Sequence, residues 1–482
     1  MIGLARRNEA WACVCKRADV AIPIGLFAYA VAVWWPTRAL PYYWDGAAFV
    51  VDAARDMLRA HFTPFVPTHA YFAHPPLFIA IVAAAWGLFG ESRVVAHAVV
   101  FPFLPLAMGA LYFLGKCLHG RLLGAAAAIL FGAMPLVLAE YGQIYFDLPI
   151  AAVVVCGLFA WVAHRRATAG VLFAVAAAMK IPAVIVPGSL LVTLALSREH
   201  RREVRAYAAL APPFAIVVAW LVYHHQVTGW WFSNGDRARY VPTGATSIAE
   251  HAAILFRSCF IAQFRWVLLA GGAVAAIVLR RRGERVFAPS LVALLACVLG
   301  GVAFFVSTNV FLTRYILLIL PPYVTGVLLL VRRALVRAPA FAAFTGATLV
   351  AFVFRWHPQI AYTSRYELQP NEDLSYLDMI GIGRAAAGYV AKNHVDAEIY
   401  GGFHEIYQLT EPWQGYLEQP LAVSTCGRFE RHAGVKQVVY IHGYEPEQIA
   451  CHEVVNETGA RAIKRFESNG KWLEIWRLPT AP

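Results

Sequence analysis

With 482 residues, 60% hydrophobic and only 15% charged, the chain has a mean hydropathy of +0.56. That is too apolar for a soluble globule, in which about a quarter of residues are charged. The formal net charge of +12 sits largely in Lys/Arg clusters that border apolar runs, as in cytoplasmic loops of membrane proteins. No Lys/Arg run is interleaved with aromatics, so nucleic acid is not expected as a partner. Composition therefore predicts an all-α polytopic membrane domain.

At the N-terminus, Arg6, Arg7, Lys16 and Arg17 precede an apolar run to Trp35 that is too long for a cleaved leader and reads as a retained signal-anchor. Span-length apolar segments follow at 75–90, 94–115, 122–140, 147–163, 167–180, 182–197, 206–225, 265–280, 286–306, 314–331 and 338–355, besides 20–36. Twelve crossings would put some basic clusters outside. If 75–90 does not cross, the clusters around Lys116, Arg165, Arg201, Arg280 and Arg332 all fall inside together with the N-terminus. The expectation is eleven spans with a cytoplasmic N-terminus. Segment 75–90, led by Pro75-Pro76, becomes a juxtamembrane or re-entrant helix of the outer leaflet. Regions 37–93, 226–264 and everything after about 356 then face outward. Lys180 lies near the outer boundary, where 167–180 meets 182–197.

From His357 to Pro482 the chain is more polar. A helical pattern over 371–394 and strand-like runs at 397–400, 437–441 and 472–477 predict a small soluble α/β domain over 357–482, following a transmembrane domain over 1–356. No internal repeat of the kind that marks transporters is evident. Among eight cysteines, none has zinc-site spacing and Cys259 is expected in a loop. Only Cys426 and Cys451 are candidates for a disulfide, provided their domain faces an oxidising compartment.

Ionisable residues gather on the outer side. Asp45, in Pro41-Tyr-Tyr-Trp-Asp45-Gly46, reads either as a catalytic base or as the N-cap of a helix over 47–60. His74 leads the proline-started helix. Asp147 opens a span, where an acid is costly without a partner or a task. Lys180 interrupts an apolar stretch on the face where positive charge is disfavoured, and reads as a snorkelling side chain or an anion ligand. Arg314-Tyr315 opens another span from outside. Lys180, Arg314 and His74, with Tyr315 as a further donor, are candidates to hold a phosphate. Asp147 is a second acid beside Asp45. The loop 226–264 adds Arg237, Arg239, Tyr240 and His251 as acceptor or lid candidates, while Trp230-Trp231 fits an interfacial belt equally well.

The order and spacing of these motifs resemble GT-C-fold glycosyltransferases that use polyprenyl-phosphate sugars, of the protein O-mannosyltransferase and lipid A aminoarabinose transferase types. The resemblance rests on Trp44-Asp45-Gly46, Ala54-Arg55-Asp56-Met57-Leu58, His74-Pro75-Pro76-Leu77, Asp147-Leu-Pro149, Met179-Lys180-Ile181 and Arg314-Tyr315-Ile316-Leu317 with Pro321. Gly46 stands where the family has Glu after the catalytic Asp, and His74 where the aminoarabinose type has Lys. The resemblance implies inverting transfer from a lipid-linked sugar donor to a protein, lipid or glycan acceptor, in a bacterial inner membrane with the C-terminal domain outside. Asp45 would be the base, and no metal would be obligatory, though a divalent ion is left open. The alternatives are a flippase for lipid-linked sugar, which would want midplane charges and broken repeated helices, and a non-catalytic scaffold.

Overall fold

The computed structural model describes residues 20–63, 74–197, 201–231, 245–308, 312–356, 373–432, 434–442 and 449–479. Three helices among them are each long and apolar enough to cross a membrane: Arg93–His119, Val204–Thr228 and Pro289–Val306. Two further pairs qualify together but are bent, Arg121–Gly132 with Pro135–Tyr141 by 64° and Ile248–Phe264 with Trp266–Arg281 by 95°. Shorter apolar helices cover Ala21–Thr37, Leu77–Phe89, Asp147–Val162, Arg166–Ala177, Ile181–Leu196 and Ala338–Val353. Apolar helices thus build a membrane body. Each expected span has helix within it; among the described residues three helices, or five if each bent pair is one span, are long and apolar enough to cross.

Local sequence explains most breaks. Gly90 at φ +89° ends Leu77–Phe89. Ser92 then caps the next helix, its Oγ accepting from the Val95 N–H at 3.3 Å. Lys180 is extended (φ −159°, ψ 137°) between Arg166–Ala177 and a 3₁₀ turn, Ile181–Val184, which carries Pro182 in its first turn. Cys259 lies buried in a π-helical turn, Arg257–Ile261, and not in the loop expected for it.

The C-terminal part is the α/β unit the sequence suggested. Its sheet has the order β2-β1-β3-β5-β4, with β1 Glu398–Gly401, β2 Val423–Thr425, β3 Gln437–His442, β4 Arg461–Ser468 and β5 Lys471–Arg477. The β1–β2 and β1–β3 pairs are parallel; β3–β5 and β5–β4 are antiparallel. Helix Tyr376–Asn393 covers one face, burying Met379, Ile380, Ala386 and Val390 against Ile399, Val438, Leu473 and Ile475. Cys426 and Cys451 form a disulfide. The same apolar cluster includes Tyr43, Trp44, Ala139 and Tyr145 from the membrane body, so this unit packs directly over the segments around Asp45 and Asp147.

Candidate active site

Asp45 stands between two uncommon backbone features. Trp44 has φ +51°, in the left-handed region that non-glycine residues rarely adopt, and a π-helix, Gly46–Val51, begins immediately after Asp45. Asp45 holds the N-cap position but makes no side-chain cap hydrogen bond. Its carboxylate is instead ion-paired with the Nη2 of Arg314. The capping alternative is thereby set aside by geometry.

Arg314 sits in a 3₁₀ turn, Thr313–Leu318, that precedes Leu320–Ala334, and is buried. Its Nε faces Asp147 Oδ2 at 3.3 Å. Asp147, buried at the start of Asp147–Val162, accepts from Lys180 Nζ at 2.8 Å through Oδ1. Residues from four separate chain regions thus form one line of alternating charge, Asp45–Arg314–Asp147–Lys180. Two carboxylates and two cations leave the line formally neutral. Arg314 Nη1 is buried and finds no hydrogen-bond acceptor among the described residues.

Aromatic faces wall the two cations. The Lys180 ammonium lies 4.1 Å from the centre of the Tyr315 ring, and the Arg314 guanidinium 4.7 Å from that of Tyr145. Tyr145 also donates its hydroxyl to the Tyr43 carbonyl at 3.1 Å. The site is tight at Gly46, where a Cβ would meet the Ile144 carbonyl at 3.2 Å and Tyr145 Cε1 at 3.3 Å. Tyr145 and the Ile144 carbonyl occupy the room that a glutamate at position 46 would need.

His74 stands at this site with its ring edge toward Phe146 at 6.1 Å. Burial, then the nearby Lys180 charge, pushes its imidazole down to about 3. That disfavours the charged imidazole and leaves the ring as a hydrogen-bonding group. His251, on helix Ala245–Phe256, is not among the ion-pair partners of the four-charge line among the described residues. Arg237, Arg239 and Tyr240 lie outside the described residues. Trp231 stacks on His225 with ring centres 4.2 Å apart. Among the described residues, no group of three or more His, Cys, Asp and Glu side chains could hold a metal ion.

Two contributions escaped the sequence reading. Glu140, on the short helix Pro135–Tyr141, is fully buried with neither carboxyl oxygen hydrogen-bonded among the described residues, and Arg314 is its strongest charged neighbour. A lone acid inside an apolar helix was the available signal. The other is the roof. Tyr42 donates its N–H to the Gln414 carbonyl at 3.1 Å. Arg55 lies over Trp413 at 4.7 Å, and the His404 ring meets Tyr43 edge-on at 4.8 Å. A Cβ on Gly142 would come within 1.9 Å of the Tyr376 hydroxyl, so only glycine admits that ring.

The chain has the GT-C fold. The structure of ArnT from Cupriavidus metallidurans bound to undecaprenyl phosphate is similar over 95% of this chain and 99% of its own, at 16% identity and a TM-score of 0.55. The apo structure of the same protein is similar over 96% and 100%, at 15% identity and a TM-score of 0.57. ArnT is the lipid A aminoarabinose transferase, so the resemblance read from sequence motifs extends to the three-dimensional fold. No family model matches the chain, and no curated protein matches it.

Proposed function

We propose that this protein is a membrane glycosyltransferase that moves a sugar from a polyprenyl-phosphate carrier to an acceptor hydroxyl or phosphate at the outer face of the membrane. The observation that carries the reading is the line Asp45–Arg314–Asp147–Lys180, buried but for the partly exposed Asp45, which holds a carboxylate base and two phosphate-competent cations in one place. The ArnT neighbour, which was bound to undecaprenyl phosphate, supports a lipid-linked donor.

In this mechanism the donor phosphate exchanges into contact with Arg314 and Lys180, drawing Arg314 away from Asp45. Arg314 Nη1 offers an unused donor for it. Tyr315 and neutral His74 complete the surroundings of the phosphate. The freed Asp45 carboxylate takes the proton of the acceptor hydroxyl as that oxygen attacks the anomeric carbon. The bond from that carbon to the phosphate oxygen breaks, its electron pair stays on the phosphate, and the configuration inverts. The two cations stabilise the charge as it develops. Asp147 keeps Arg314 and Lys180 oriented. Arg237, Arg239, Tyr240 and His251 are proposed to shape the acceptor side. The topology that fits is eleven spans over 1–356, with Leu77–Phe89 in the outer leaflet and 357–482 outside a bacterial inner membrane.

Purified Asp45→Asn protein should bind undecaprenyl phosphate and lack transfer from polyprenyl-phosphate sugars extracted from the source membranes. Full transfer by this variant overturns the assignment. Lys180→Ala and Arg314→Ala should weaken undecaprenyl phosphate binding. Cysteines placed at Glu91 or Ser92 should react only from the outer side; labelling from the cytoplasm overturns the topology. A flippase would place its charges along a through-path, whereas the charges here form one closed line.

A further inference from the structure

The residue just before Asp45 has a costly backbone. A tryptophan at φ +51° persists only where its surroundings hold it. Trp44 and Tyr43 are both buried, and part of what buries them belongs to the C-terminal domain. His404, on helix Phe403–Thr410, meets Tyr43 edge-on with ring centres 4.8 Å apart at 83°, and meets Trp44 at 5.3 Å. Tyr376 reaches Tyr43 from the same domain at 6.3 Å.

His404 is itself anchored. Its Nε2 lies 2.7 Å from Gln408 Nε2, whose N–H donates to it, and Gln408 Oε1 accepts from the Tyr440 hydroxyl at 3.3 Å. Tyr440 is a fully buried residue of β3. The contacts therefore run without a gap from the centre of the sheet, through Gln408 and His404, to the residue whose conformation aims Asp45. On the other side, Tyr145 fixes the Tyr43 carbonyl while its ring faces Arg314, the ion partner of Asp45.

We infer that His404 of the C-terminal domain is a positioning residue for Asp45: its ring holds Tyr43 and Trp44 so that the Asp45 carboxylate meets Arg314. The domain is then part of the catalytic apparatus and more than a cover. This rests on the reading of Asp45 as the base. Without His404, Trp44 relaxes toward an ordinary backbone conformation, and Asp45 swings out of its ion pair toward water.

The test is carboxylate labelling of the full chain in detergent micelles with a water-soluble carbodiimide and an amine, read residue by residue by mass spectrometry. Asp378, ion-paired with Lys471 inside the C-terminal domain, serves as the folding control. His404→Ala should raise the labelling rate of Asp45 roughly two- to ten-fold, the worth of one aromatic ring pair, with Asp378 still protected. His404→Phe, which keeps a ring against Tyr43, should restore protection; labelling as fast as in the alanine variant would overturn the inference. If Asp378 also becomes reactive in His404→Ala, a change at Trp44 decides. There the variant is Trp44→Ala rather than glycine: it removes the ring that His404 meets, keeps the backbone cost of a positive φ, and should expose Asp45 while Asp378 stays protected. Unchanged Asp45 labelling in a variant that keeps Asp378 protected overturns the inference. Undecaprenyl phosphate binding by the wild-type chain, measured in parallel, tests the donor reading separately: its failure would strike that reading and leave the labelling result standing.

Discussion

Asp147→Asn is the most informative single change, because it separates what the line of charges does for stability from what it does for ligand binding. Asp147 is the one ion partner of Lys180 among the described residues, and Arg314 keeps Asp45. Removing one partner of a buried pair costs about 3–5 kcal/mol, mostly as the penalty of the stranded charge. The asparagine keeps an oxygen where Oδ1 now accepts from Lys180 at 2.8 Å. The low end, about 3 kcal/mol, is therefore expected, or about two orders of magnitude in the unfolding equilibrium. The line changes from neutral to a net single positive charge, so affinity for undecaprenyl phosphate should rise even as the protein weakens. Unfolding in mixed micelles titrated with a denaturing detergent measures the first effect. Quenching of intrinsic tryptophan fluorescence by added undecaprenyl phosphate measures the second. A stability loss below about 1 kcal/mol, the worth of an exposed pair, with unchanged phosphate affinity, would refute the reasoning.

Two further outcomes follow from the junction between the two parts of the chain. Gly142→Ala should push Tyr376 off the membrane body, since its Cβ would lie 1.9 Å from the Tyr376 hydroxyl; a loss of about 1–3 kcal/mol and faster amide exchange in Tyr376–Asn393 are expected. Asp373, outside the membrane helices, has its carboxyl raised by burial from 3.8 to about 6. The folded chain thus holds that proton more tightly than the unfolded one. The associated stability is complete below pH 3.8 and is lost as pH rises through about 6. Asp373→Asn keeps the oxygen that accepts from the Ser375 N–H at 2.9 Å. It should stabilise the neutral-pH protein, by up to ~3 kcal/mol, and flatten this part of the profile. Unfolding midpoints measured across that range, on variant and wild type, check both the sign and the window.

The legible features were those with a local cost. A charge in an apolar run is expensive wherever the chain goes, so Asp45, Asp147, Lys180 and Arg314 stood out before any coordinates, and the loop charges placed them on one side. Partnership was not legible, because Asp45 and Arg314 lie 269 residues apart and nothing local pairs them. Strands with alternating or continuous apolar residues, β1, β3 and β5, could be read. Three-residue β2 and the largely exposed β4 carry no such pattern. The proline break at Pro135 sits inside a segment whose hydropathy is uninterrupted, which is why that segment read as one smooth span. His74 shows the converse: its residue type leaves its charge open, and the packing around it disfavours the charged form.

The packing of Tyr43 and Trp44 against residues 376–416 has a bearing on how the protein comes into being. Translation delivers Asp45 with the first helices, whereas Tyr376, His404 and Tyr416 emerge only after every helix of the membrane body has been made. A nascent chain halted after Ala338–Val353 would carry all four charged residues and still lack the contacts that hold Trp44 in place. Competence would then arrive last, with closure of the final domain, so a half-assembled copy would stay silent.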